Sequence, residues 1–73
     1  MVHEYFKKEL AELKVLVRVN PASLAGLELV VTQNGDVEKR KLQFDEEIYD
    51  DLQVDGFVPA SPLEFNLYLK GLA

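Results

Sequence analysis

The stretch LELVVTQNGDVEKRKLQF, residues 27–44, restricts the fold more than any other part of the chain. Asn34-Gly35 stands between two β-capable runs, and that dipeptide suits a tight type I′ turn, whose two central residues need positive φ. The segment is therefore expected to be an antiparallel hairpin. With a two-residue loop, Gln33 pairs with Asp36, which sets Glu28 opposite Lys41 and Leu27 opposite Leu42. Leu27, Leu29 and Val31 then share a face with Leu42, while Glu28, Val30, Lys39 and Lys41 form the solvated face. Glu38 and Arg40 fall on the apolar face near the turn, so that end is expected to overhang the core.

Before the hairpin, Val2, Phe6, Leu10, Leu13 and Val17 recur at steps of three and four, with Tyr5 and Leu16 widening the stripe. Such spacing predicts a long amphipathic helix over residues 2–17. Residues 14–19, KVLVRV, are β-branched enough for a strand, but no turn residue separates them from the segment before, so the helical reading is preferred. Pro21 ends that helix by disfavouring the α conformation at Asn20. Asn20 then caps a short turn with Pro21 at its first position, and Gly26 is expected to supply a left-handed exit.

Beyond the hairpin, Asp45 caps a second helix whose first turn is acidic, as the helix dipole favours. Phe44 and Tyr49 take the positions of a hydrophobic staple, and Asp55-Gly56 closes the helix. The final segment, SPLEFNLYLKGLA, supports two readings. Leu63, Phe65, Leu67 and Leu69 alternate as in a strand, whereas Ser61 and Glu64 form a capping box with Pro62 at the first helical position. Two agreeing terminus signals and helix-tolerant leucines favour a helix over residues 62–70, with an additional strand as the alternative. On that helix Phe65, Tyr68, Leu69 and Leu72 form one apolar arc and Leu63 and Leu67 a second.

These elements make one domain of 73 residues in the α+β class: a long N-terminal helix, an antiparallel hairpin, an acidic helix and a short C-terminal helix. A domain of this size buries only about 60% of its unfolded surface, so something usually supplements the core. Disulfides are unavailable because there is no cysteine, and His3, the only histidine, makes zinc an improbable staple. Association with a copy of itself or with another protein is the supplement that remains.

Charge and composition narrow the function. An apolar fraction of 48% is that of a globular domain, and no run reaches the roughly 20 apolar residues of a membrane span. The N-terminal segment mixes both charge signs and does not resemble a secretory signal, so a cytoplasmic location is expected. A net charge of −5 argues against general nucleic-acid binding, which needs cations to neutralise phosphates.

No catalytic motif emerges. His3 stands alone near the terminus, Ser23, Ser61 and Thr32 have no histidine in a recognisable arrangement, and the isolated glycines form no phosphate loop. The acidic residues Asp45, Glu46, Glu47, Asp50 and Asp51 lack the spacing of a calcium loop, and no metal or cofactor is expected. A non-enzymatic interaction or accessory module follows, binding a protein partner or itself through Phe57, Leu63, Phe65, Leu67, Tyr68, Leu69 and Leu72. The alternatives are an acidic decoy that uses residues 45–51 against a basic protein and, more remotely, a small metal-dependent enzyme.

Overall fold

A computed structural model describes residues 2–72. Its strands are β1 (Glu4–Glu9), β2 (Leu13–Val19), β3 (Ala25–Thr32), β4 (Val37–Gln43) and β5 (Val58–Pro59), and its helices are α1 (Ile48–Val54) and α2 (Pro62–Leu69). The strands form one antiparallel sheet in the order β4-β3-β2-β1-β5.

The helix-first architecture is thus overturned, since residues 2–17 form no helix. They fold as most of a hairpin in which Glu9 faces Lys14 and Phe6 faces Val17. The turn passes through Leu10, Ala11 and Glu12 and is closed by the Leu10 amide donating to the Leu13 carbonyl at 2.8 Å. Residues 14–19 explain the outcome. Their alternation sends Val15, Val17 and Val19 to one side of the sheet and Leu16 to the other, so β2 buries side chains on both faces, as β-branched residues in a central strand do well. A helix would have left one of these sets in water. The apparent stripe also contains Val2 and Leu10, which are 77% and 49% exposed.

The corner at residues 20–25 is a second tight connection. Asn20 Oδ1 accepts from the amides of Ala22 and Ser23 at 2.9 and 3.3 Å, as expected of a capping residue. The left-handed position falls on Leu24, with φ of 61°, and not on Gly26. Gly26 lies inside β3, opposite Val19 and Leu42.

The β3–β4 hairpin is present with its register moved by one residue. Glu28 faces Arg40, Leu27 faces Lys41 and Val31 faces Val37. Only Gly35, at φ of 88°, takes a positive φ in this turn, whereas a type I′ turn requires it of Asn34 as well. The Gly35 amide donates to the Thr32 carbonyl at 3.0 Å, and the Thr32 amide donates to the Asp36 carbonyl at 2.9 Å. This is a three-residue loop with a glycine bulge. Because side chains alternate with period two, the shift exchanges the faces of every β4 residue. Lys39 and Lys41 join Leu27, Leu29 and Val31, while Glu38, Arg40 and Leu42 join Glu28 and Val30.

Helices pack on opposite faces of the sheet. On one, Phe65 of α2 is fully buried with Leu16, Leu29 and Val31, and Tyr5, Leu27, Val37, Tyr68 and Leu69 surround them. The rings of Tyr5 and Phe65 lie 5.3 Å apart, and the Arg18 guanidinium sits 5.5 Å from the Phe65 ring centre. On the other, Ile48 and Leu52 of α1 pack on Val17 and Val19, with Phe6, Val15, Leu24, Phe44, Tyr49 and Phe57 around them. Each fully buried side chain of this size contributes roughly 1.5–3 kcal/mol, so two small clusters supply what one face could not.

Helix α2 starts as its residues dictate. Ser61 Oγ accepts from the Glu64 amide at 3.0 Å, Pro62 takes the first turn, and Gly71 provides the positive-φ exit. The strand alternative for residues 62–70 is therefore corrected. Helix α1 begins at Ile48, later than the cap expected at Asp45. The Asp45 side chain accepts from the Glu47 amide at 2.9 Å in a turn that precedes the helix.

Candidate functional site

The two margins of the sheet differ in length and chemistry. At one margin β5 has only two residues, set against Lys7 and Phe6, and one of them is Pro59, which has no N–H to offer. At the other, β4 runs for seven residues, and among the described residues no strand lies beyond it.

Hydrogen bonds at the two ends of the β3–β4 ladder fix which β4 peptide groups are free. The Thr32 amide donates to the Asp36 carbonyl, and the Phe44 amide donates to the Leu24 carbonyl at 2.9 Å. In an antiparallel pair bonded and non-bonded positions alternate, so Glu38, Arg40 and Leu42 turn their amides and carbonyls inward to β3. Val37, Lys39, Lys41 and Gln43 turn theirs outward, presenting donors and acceptors to solvent along the whole strand.

Side chains along this margin are charged and exposed from Glu38 to Lys41. Arg40 Nη2 is 3.2 Å from Glu28 Oε1 on the face that carries α1. Among the described residues, Lys39 and Lys41 take part in no ion pair, and both lie on the face that carries α2. Helix α1 packs on β1 and β2 and leaves the β3–β4 end of its own face uncovered. An open depression of about 440 Å³ remains there, lined by Glu28, Val30, Glu38, Lys39 and Arg40.

A second polar cluster joins α2 to the sheet. Lys14 Nζ lies 2.8 Å from Glu64 Oε2, Lys7 Nζ lies 3.1 Å from Glu64 Oε1, and Lys14 Nζ also donates to the Tyr68 hydroxyl at 3.3 Å. The hydrogen bond donated by Lys14 is the main cause that lowers the Glu64 pKa, and the bonds that Lys14 and Lys7 donate to Glu64 are the main causes that raise theirs. All three groups are thereby held ionised around neutral pH. The cluster fastens α2 to the sheet as a clamp of charge-assisted hydrogen bonds.

Tyr49 is the other perturbed group. Its hydroxyl is buried beside the Glu4 carboxylate, and burial first, then that carboxylate, raises its pKa. The ring packs 6.1 Å from that of Phe6.

Residues expected to form one apolar partner surface are distributed across the molecule. Phe65 is fully buried, Tyr68 and Leu69 pack beside it, and Leu67 is half-buried. Phe57 belongs to the cluster on the opposite face. Leu63 and Leu72 are left at 68% and 70% exposure. The acidic residues Asp45, Glu46, Glu47, Asp50 and Asp51 are all exposed, and His3 lies 6.4 Å from the Tyr5 ring. Among the described residues no group of three His, Cys, Asp or Glu side chains is arranged to hold a metal, and no helix is long and apolar enough to cross a membrane.

Sequence reasoning passed over Lys39 and Lys41 as members of a solvated face. The signal that points to them is the run Lys39-Arg40-Lys41 on one strand of an otherwise acidic chain. Compared with known proteins, the chain matches no family model, no curated protein and no solved structure.

Proposed function

We propose that the protein is a non-catalytic interaction module that takes an extended segment of a partner onto the free margin of β4. The observation that carries this reading is the outward row of peptide groups from Val37 to Gln43, set against a far margin occupied by the short, proline-containing β5. Main-chain pairing supplies affinity in strand addition, and the flanking side chains supply selectivity. The uncovered depression beside Val30 gives an incoming strand apolar surface on one face, and the lysine stems give it surface on the other.

Selection from a random peptide library, followed by amide hydrogen exchange on the complex, tests this reading. The expected result is protection of the Lys39 and Lys41 amides and loss of binding in Lys41→Pro. That substitution removes an outward N–H and leaves the β3 ladder intact. Binders that instead protect the region of Leu63 and Leu72, and are indifferent to Lys41→Pro, would move the interaction to the C-terminal segment.

A further inference from the structure

We infer that the segment received by β4 is acidic at alternate positions, with its carboxylates on the face of the sheet that carries α2. The inference rests on the strand-addition reading above and specifies its partner. Lys39 and Lys41 are two residues apart, so their side chains stand on one face at the repeat distance of a strand, about 7 Å. A strand pairing with β4 places every second side chain beside them. Cross-strand pairs of opposite charge are favourable and like pairs are not, so Glu or Asp at those positions is selected and Lys or Arg rejected. The opposite face asks for something different. There Arg40 is paired with Glu28 and Glu38 stands beside Val30, so a small apolar or β-branched side chain suits the depression better than a further carboxylate.

The same chemistry disfavours a second copy of this chain. In the register that pairs β4 with itself over its full length, Lys39 of each copy meets Lys41 of the other and Arg40 meets Arg40. Like charges directly opposite destabilise such a pairing. The chain as a whole carries a net charge of −5, so an acidic partner is attracted only where cations cluster, as Lys39, Arg40 and Lys41 do on β4.

Fluorescence anisotropy with three synthetic peptides of about the length of β4 tests the inference, the peptides alternating Val with Glu, with Lys or with Thr. The Glu peptide is expected to bind about tenfold more tightly than the Thr peptide, the Lys peptide more weakly than either, and the preference to shrink as salt rises. In the double variant Lys39→Glu, Lys41→Glu the order should reverse, and Lys41→Pro should abolish binding of all three while leaving the melting temperature near that of the wild type. Equal binding of the three peptides, all lost in Lys41→Pro, would overturn the acidic partner and leave strand addition standing. If no peptide binds, or if binding survives Lys41→Pro, both are overturned. A dimer that tightens with concentration and is broken by Lys41→Pro would replace the acidic partner with a second copy.

Discussion

Phe44 occupies the space in which Gly26 would carry a side chain. A Cβ at Gly26 would overlap the Cε2 edge of the Phe44 ring, and only a shift of the ring relieves it. The glycine is needed for this close approach and not for an unusual backbone angle.

Gly26→Ala should therefore cost about 1–3 kcal/mol, the usual penalty for overpacking. In a Phe44→Ala background the same change should cost almost nothing or stabilise by a few tenths of a kcal/mol, because alanine restricts the unfolded chain more than glycine does. Urea denaturation of the four members of this cycle measures the coupling.

Leu24 reverses an ordinary ranking. Its φ of 61° strains a leucine, and its side chain packs into the cluster beneath α1. Leu24→Ala loses packing and keeps the strain, whereas Leu24→Gly loses both. The glycine variant should be the more stable of the two by about 1 kcal/mol, opposite to the order found in ordinary strand positions. Thermal melts of the pair decide it.

The β3–β4 loop offers a test of register. Gly35 alone needs a positive φ, so Gly35→Ala should cost about 1 kcal/mol, while Asn34→Ala should change stability by less than about 0.5 kcal/mol. In a type I′ turn both substitutions would be costly. Similar losses at the two positions in chemical denaturation would contradict the three-residue loop.

Glu64 links stability to pH. Its pKa is lowered in the folded state, so its contribution is present above the ordinary glutamate value of 4.5 and is lost as pH falls through the lowered folded value. Lys14 and Lys7 are raised, so their contribution is present below 10.5 and is lost as pH rises through the folded values. The clamp is thus complete between these limits. Glu64→Gln should cost roughly 1 kcal/mol at neutral pH, since the groups are only partly shielded from solvent. The gap between wild type and variant should narrow as pH drops below the glutamate range. Urea midpoints across an acid series measure that gap, and a gap that stays constant into strong acid would contradict the assignment.

The parts of the fold that could be read in advance are those with local chemical punctuation. Ser61, Pro62, Glu64 and Gly71 mark both ends of α2, Asn20 and Pro21 mark the corner, and the Asn34-Gly35 pair marks a hairpin. What escaped was decided by contacts between distant residues. The β1–β2 turn through Leu10, Ala11 and Glu12 contains no glycine, proline, asparagine or aspartate, so nothing local announces it, and Val2 and Leu10 complete a helical stripe by coincidence. Residues 14–19 carry a strand signal, which the absence of a turn residue before them masks. At the β3–β4 hairpin, Asn-Gly serves both a two-residue and a three-residue loop, and one residue of difference decided on which face Lys39 and Lys41 stand. The candidate site depended on that difference, because an edge is a property of the whole sheet and no single strand encodes it.

The proline in β5 has a consequence for assembly size. A sheet that grows without limit must accept a new strand on each side, as cross-β fibres do. Here Pro59 withholds a donor on one side, so a sheet extended at β4 meets a poor acceptor of further strands at its other margin. The two margins are therefore unequal in what they offer to growth: a full row of free peptide groups at β4, and at β5 two residues of which one lacks a donor.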